Sequence, residues 1–404
     1  MRRSLSRSKL RTITENGAQS RRRSAPSGAA TVSVYHQGEF IGHTITMQGA
    51  AATLDDVARR AGTSVATAGR ALGGYGKVAA ATRERVLKAA RQLHYRPNAL
   101  ARSMKQRSSL TIGVIVGNVC NPFFSVVLRA IEDTVGAHGY QVIMCNTDES
   151  IEKELAHARA LLEHRVAGII LSPTAGENGE ASRAAKEIHT SRIPLVFIDR
   201  AVKGMKVPTV VSDNQSAAHE ATAHLVEAGH RRIGIIVGRR TLDTMSERIE
   251  GYRRALAQHR IEFDDSLVVD AVHVGVEGGY RATKQLLDFH RPPTALLVAN
   301  SLLILGALSA IAEKGLAIPD NVAVIGWDDF YAAPHLKTPL TMVDQPAHAM
   351  ASIAAEQLMK MLADKPVDPS LYVILKSNFI VRDSAGTPSN RRPLVGCRKT
   401  SSDA

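Results

Sequence analysis

The sequence predicts two folding classes in one chain: a short all-α head, followed by an α/β core built on two sheets. Three observations carry this. Between Thr53 and Arg107 two short helical patterns lie one turn apart, in a stretch holding twelve basic and only three acidic side chains. From 108 to about 383, short apolar runs alternate with amphipathic stretches, the rhythm of buried strands and the helices that cover them. That rhythm runs from "TIGVIVG" to "IPLVFID" and resumes from "TVVS" to "VAVIGWDD", which is more units than one sheet holds comfortably.

The head follows from local chemistry. Thr53, with Asp56 three residues on and apolar residues after it, is a variant capping box, and Asp55 and Asp56 suit the positive end of a helix. Helix one is therefore expected from about Leu54 to Ala61. Gly62 can take the left-handed conformation that ends it, and Ser64 caps a second helix from about Val65 to Leu72. Ala58, Ala61, Ala68 and Ala71 are small enough for the two helices to cross closely. A third helix is expected from near Thr82, with Val86, Ala90 and Leu93 covering the first two. The result is a helix-turn-helix whose second helix can enter a major groove, with an ordinary helical hairpin as the plainer alternative. The local charge favours the first, because a surplus of about nine positive charges is what a domain seated on phosphates carries.

Bulk composition bounds the rest. A chain of 404 residues, 44% hydrophobic, buries more than one core. No window reaches the roughly 18 to 20 apolar residues of a membrane span, and the N-terminus has no apolar signal region, so a cytoplasmic location and no membrane partner are expected. Cys120, Cys145 and Cys397 are scattered and odd in number, which offers neither a disulfide framework nor a zinc-site spacing. Cys120 and Cys145 read as small core or pocket-edge residues, and no metal or cofactor is expected. The net charge of +13 and pI of 9.8 point to a polyanionic partner. Residues 1–50, Arg-rich and without periodicity, are expected to be a disordered basic extension. They are either an arm adding affinity for DNA or the product of a start assigned too early, with Met47 the natural beginning. Residues 384–404 are expected to form a flexible tail.

"TLDDVARRAGTSVATAGRALGG", "VAAATRERVLKAARQLHYRPNALARSMK" and "IGVIVGNVCNPFF" resemble the lactose/galactose repressor (LacI/GalR) family of bacterial transcription regulators. "EHRVAGIIL", "LVEAGHRRIGIIVG", "RIEGYRRAL", "PPTALLVAN", "VAVIGWDDF" and "LTMVDQP" extend the likeness over about residues 53–383. The resemblance implies a helix-turn-helix DNA-binding head over 51–107, including a hinge helix near 97–106. It further implies, over 108–383, a two-lobed effector-binding and dimerisation domain like the periplasmic sugar-binding proteins.

On that resemblance, Val65, Ala66 and Arg70 face bases. Val65 and Ala66 can sense only thymine methyls or shape, whereas Arg70 can fork onto guanine O6 and N7 and should supply most discrimination. Thr53, Ser64, Thr67 and Lys77 belong with the DNA-binding residues, the last three as phosphate contacts that set register. Gly69 stands where the family usually has Ser, and should weaken the helix by roughly 1 kcal/mol. In the hinge, Asn98 can cap a helix after Pro97, and Leu100, Ala101 and Met104 fall where the family wedges a minor groove open. Met104 replaces the usual Leu, and the Leu100/Met104 pair also reads as plain core packing. A central pyrimidine–purine step in a near-palindromic operator is the implied DNA counterpart.

In the core, the resemblance places a small effector between the lobes, contacted by Asp199, Arg248, Asn300 and Asp328, with Phe123 and Phe124 as an apolar wall and Asn121 beside it. Each polar residue alone also reads as a surface or capping group; together they suit a polyhydroxylated ligand. Val274 and Ala347 stand where sugar binders often have aromatics, and Ser301 follows Asn300 where Asp is usual, so a sugar acid or related metabolite remains open beside a hexose. The expected function is a dimeric, sequence-specific regulator, a repressor whose affinity for operator DNA is set allosterically by that effector. The alternative is a small-molecule-binding protein without specific DNA recognition. An enzyme is not expected: neither "GGYG" nor "GVEGGY" fits a phosphate loop, and no catalytic triad is placed.

Overall fold

The computed structural model describes residues 34–36, 39–41, 52–73, 76–95, 109–175, 182–271 and 275–386. They fall into two units, divided between Asn98 and Ala99.

In the first unit, β1 (Val34–His36) pairs antiparallel with β2 (Glu39–Ile41), in the register Val34 to Ile41. Of residues 1–50, expected to be a disordered basic extension, these six are the ones the structure describes. The two segments are rich in β-branched and aromatic residues, although a lone two-stranded pair is marginal in water. Beyond them lie α1 (Leu54–Ala61), α2 (Val65–Gly73) and α3 (Ala80–Gln92). The capping box forms: the Asp56 amide donates to Thr53 Oγ1 at 3.3 Å and the Thr53 amide to Asp56 Oδ2 at 2.9 Å. Gly62, at φ 62° and ψ 46°, turns the chain out of α1, a conformation that costs any residue with a Cβ about 1 kcal/mol. Val57, Ala58, Ala61, Ala68, Ala71, Val86, Ala89 and Ala90 form the buried centre of the three helices. The third helix starts at Ala80 and not at Thr82: the Thr82 and Arg83 amides already reach back to the Ala79 carbonyl at 3.0 Å, so no hydroxyl cap is needed.

The second unit carries two six-stranded sheets. Lobe 1 is entered through β3 (Thr111–Val116), α4 (Pro122–Gly136), β4 (Gln141–Asn146), α5 (Ile151–Glu163), β5 (Gly168–Leu171), α6 (Arg183–Thr190), β6 (Leu195–Ile198) and β7 (Thr209–Ser212). Lobe 2 follows with α7 (Asn214–Glu227), β8 (Ile233–Val237), α8 (Asp243–Gln258), β9 (Val268–Asp270), α9 (Val276–Leu287), β10 (Ala295–Val298), α10 (Ser301–Glu313), β11 (Ala323–Trp327) and β12 (Thr341–Asp344). The chain then returns to lobe 1 with α11 (Ala347–Leu362) and β13 (Tyr372–Leu375), and ends in lobe 2 with β14 (Asn378–Ile380). Strand order is β13-β7-β6-β5-β3-β4 in one sheet and β14-β12-β11-β10-β8-β9 in the other. Every pair is parallel except β12 with β14.

Three features depart from expectation. "QVIMC" is not a buried strand: β4 is a sheet edge, with Ile143 and Met144 exposed. Cys145 on it is half-buried and Cys120 is exposed, so Cys120 is no core residue. The packed structure also runs past Asp383, because the Ser384 hydroxyl receives the Thr341 amide at 2.8 Å and donates to the Val324 carbonyl at 2.5 Å, and Ala385 is buried. Helices α9 and α10 touch backbone to backbone: a Cβ on Gly306 would stand 1.9 Å from the Val276 carbonyl oxygen.

Candidate functional site

On the head, α2 turns Val65, Ala66 and Arg70 to solvent and buries Ala68 and Ala71 against its neighbours. The Ser64 hydroxyl receives the Thr67 amide at 3.2 Å, capping the helix, and Arg70 Nη2 donates to Thr67 Oγ1 at 3.3 Å. Ser64 thus supports the start of α2, and Thr67 holds the guanidinium of Arg70. Thr53 is engaged in the cap of α1, and Lys77 is exposed. Sequence reasoning passed over Gly76: at φ 71° its backbone lies against the Arg70 stem, and a Cβ there would be 3.2 Å from Arg70 Cδ. The charge is less uniform than its sum implies, since Arg59 pairs with Asp55 and Asp56 while Arg85, Lys88 and Arg91 stand exposed. Asn98, Leu100, Ala101 and Met104, and with them the hinge helix, lie outside the described residues.

In the core, the matching strand orders put β6 and β11 at equivalent positions in their sheets. Asp199 follows the first and Asp328 the second, both left-handed at φ 69° and 62°. The Asp199 amide donates to the Val210 carbonyl at 2.9 Å and the Asp328 amide to the Val343 carbonyl at 2.7 Å. The two lobes therefore present carboxylates from equivalent strand ends, each held by its neighbouring strand. Arg248 on α8 lies among them: Nε donates to Asn214 Oδ1 at 2.9 Å, Nη1 to the Ala299 carbonyl at 2.7 Å, and the guanidinium lies 4.0 Å over the Trp327 ring. Burial pulls Arg248 down to about 10, so it stays charged at neutral pH, and burial pushes Asp328 up to about 6 against the pull of Arg248. Asp199 is raised for the same reason.

The other expected residues serve partly as scaffold. Asn300 caps α10 through the Leu302 and Leu303 amides, at 2.9 and 3.4 Å. Asn121 caps α4 and accepts the Ser301 hydroxyl at 2.9 Å, a bond between the lobes. Phe123 and Phe124 are both packed into the lobe 1 core, and Phe123 also borders a cavity of about 440 Å³ that reaches Asp328, Gln345 and Ala347. Val274 lies outside the described residues.

Sequence reasoning missed a buried network beside this cluster. Arg200 grips Glu149 with both Nη groups at 2.7 Å and lies 3.1 Å from Asp199 Oδ2. Burial opposes the charge on Glu149, but Arg200 outweighs it and holds the carboxyl low. Arg200 sits next to Asp199 in "FIDR", yet no periodicity marks a charge as buried. Gln345 is another miss: it donates to Asp328 Oδ1 at 2.6 Å and accepts the Ser212 hydroxyl at 2.5 Å, while the Ser377 amide donates to Asp213 Oδ1 at 2.7 Å. All three passages between the lobes, near 213, 345–346 and 376–377, are stitched together, and Asp328 hangs from the stitch.

Glu154 is fully buried, accepts the Thr174 amide at 2.6 Å and the Ser182 hydroxyl, and is pushed by burial to about 7. A carboxyl raised on folding binds its proton more tightly when folded, so its contribution to stability is lost as pH rises from its unfolded value of 4.5 to about 7. Glu154→Gln should therefore leave the melting temperature at pH 5 near that of the parent and raise it by a few degrees at pH 8. A thermal melt with equal shifts at both pH values would contradict this.

A model of the "bacterial regulatory proteins, lacI family" matches residues 53–98, and one of a "periplasmic binding protein-like domain" matches 222–385. The chain is 32% identical to a ribose operon repressor of Halalkalibacterium halodurans, over 82% of its own length and 96% of the relative's. To the HTH-type transcriptional repressor CytR of Escherichia coli it is 34% identical, over 83% and 97%. A lac repressor dimer bound to operator and the anti-inducer ONPF aligns with a TM-score of 0.71 at 25% identity, over 83% of this chain and 99% of that one. A capped, basic helix-turn-helix ahead of two pseudo-equivalent lobes thus agrees with full-length relatives on both counts, and the chain belongs to the lacI family of bacterial regulatory proteins.

Proposed function

We propose that this chain is a transcriptional repressor that reads an operator through α2 and is set on or off it by a small molecule held between the lobes. The observation that carries this reading is the position of Asp328. It faces Arg248 in the cleft and is bonded through Gln345 to the strands that join the lobes, so a ligand contact there acts directly on lobe geometry. Such coupling is reciprocal: operator binding changes ligand affinity by the same factor. No role in catalysis is assigned to any residue, and the site of action is the DNA of the cytoplasm.

One α2 reads too few bases for useful specificity, so two copies on a two-fold site are required. Exposed apolar residues supply a surface for pairing: Ile143 and Met144 on the edge of lobe 1, and Val276 and Leu305 on the adjoining helices α9 and α10 of lobe 2. Met144→Glu combined with Leu305→Glu should give a monomer by light scattering and weaken operator binding at least about 100-fold, since each half-site is then held alone. An intact dimer would move the interface elsewhere.

The reading is tested by incubating purified protein with fragmented DNA of its source and sequencing what it retains. One near-palindromic motif with a flexible central step is expected, and sequence-indifferent, salt-sensitive binding would leave only the ligand-binding function.

A further inference from the structure

We propose that Arg239 is a latch that holds the two lobes shut, at the edge of the cleft opposite the three passages that join them. For its effect on DNA this rests on the proposed ligand-controlled function; the latch itself does not.

The topology sets hinge and latch apart. The passages near 213, 345–346 and 376–377 leave or enter β7, β12, β13 and β14, which are the first two strands of each sheet. Arg239 follows β8, the fifth strand of lobe 2, and Glu149 follows β4, the sixth of lobe 1. Three strand spacings of about 4.8 Å put Arg239 roughly 14 Å from the passages, measured across the sheet. A turn of about 10° around them would carry it by roughly 2.5 Å, enough to part a hydrogen bond. Contacts at this edge therefore decide whether the cleft opens, whereas those beside the passages scarcely stretch.

Arg239 makes such a contact, and makes it to backbone. Its Nη1 donates to the Ala175 carbonyl at 2.7 Å and to the Glu149 carbonyl at 3.2 Å, both in lobe 1. The Ala175 side chain packs against the lobe 2 core cluster that includes Val237 and Trp327, so this residue is held across the cleft by packing as well. Glu149 is a rigid anchor. It and Asp148 are left-handed at φ 60° and 50°, where side chains are rarely found, and its amide donates to the Gly117 carbonyl at 3.1 Å. Arg200, which grips the Glu149 carboxylate, lies 3.1 Å from Asp199 Oδ2. A ligand at Asp199 and the arginine of lobe 2 thus bear on the same residue, Glu149.

Arg240, the next residue, supplies the contrast. It is spent inside lobe 2, on Asp265, Asp270 and the Val268 carbonyl. Arg239 itself is half-buried and belongs to no core cluster, so it can be removed without leaving a cavity in either lobe.

The test is the distance between the lobes, read from paired spin labels on the full chain without added ligand. The labels sit at Glu152→Cys in lobe 1 and Glu262→Cys in lobe 2, both exposed, in a background of Cys120→Ser, Cys145→Ala and Cys397→Ser. Dilution with unlabelled protein confines the signal to pairs within one chain. In Arg239→Ala the most populated distance should lengthen by at least about 3 Å. Arg239→Lys, whose single ammonium cannot reproduce the guanidinium geometry, should lengthen it less, and Arg240→Ala should leave it unchanged. A distance in Arg239→Ala equal to the parent's, or an equal lengthening in Arg240→Ala, would overturn the proposal. On the DNA motif that the protein retains from its source, Arg239→Ala should also change affinity at least about fivefold. A lengthened distance with unaltered affinity for that motif would instead overturn the ligand-controlled repressor reading and leave the latch standing.

Discussion

Arg248→Met is expected to destabilise the core by about 3 to 5 kcal/mol at pH 7.5, the usual cost of leaving buried carboxylates without their cation. The side chain is 2% exposed, and its loss removes bonds to Asn214 and Ala299, the stacking on Trp327 and the countercharge of two aspartates. The deficit should depend on pH with a definite sign. Asp328 already titrates near 6, and without Arg248 its proton is held more tightly still. At pH 5 the carboxyl enters the fold neutral and the penalty shrinks. Urea unfolding at both pH values reads this directly, and an equal loss at each would mean that packing, not charge, dominates. Arg248→Lys keeps the charge but cannot reproduce the two-direction fork, so it should fall between the parent and Met. Both variants should lose ligand response along with stability.

Arg70→Ala is expected to remove most operator discrimination without touching stability. Arg70 is exposed and makes one long hydrogen bond to Thr67, so the folded head has little to lose. A bidentate arginine–guanine contact is worth about 1 to 3 kcal/mol, or roughly five- to 150-fold, in each half-site. Applied twice in a dimer, the ratio of specific to nonspecific affinity should fall between about thirtyfold and twenty-thousandfold. Lys77→Ala is the contrasting control: losing one phosphate contact in each protomer should weaken all sequences alike and flatten the salt dependence by about two units of slope. The two variants are distinguished by a binding competition run at several salt concentrations, and an Arg70 variant that behaved like the Lys77 variant would demote Arg70 to a phosphate contact.

The head was legible in the sequence because its determinants are local. Thr53 with Asp56, Gly62 and Ser64 act within four residues of the backbone groups they satisfy, so their spacing alone announces two helices and the turn between them. The sheet-and-helix alternation of the core was legible for the same reason, with each buried run bounded by its own helix. Misreadings arose where only a neighbour decides. "QVIMC" is as apolar as a buried strand, and its exposure follows from lying at a sheet edge, which strand order alone establishes. Ser384 looks like the start of a tail until the Thr341 amide and Val324 carbonyl claim its hydroxyl.

Of the cleft, Asp199, Arg248 and Asp328 were reached through family resemblance, since residues 129 positions apart share no period. Their partners Glu149, Arg200, Gln345 and Ser212 were reached only through the structure. By itself, the sequence determined that this chain carries a helix-turn-helix and a two-sheet core, because caps, glycines and apolar periods are enforced by short-range sterics and hydrogen bonding. The tertiary structure alone decided which charges are buried, what neutralises each, and that one of them is tied to the lobe connections. Desolvation and Coulomb energy depend on what lies across a few ångströms of space, and the chain brings those groups together only once both sheets have formed.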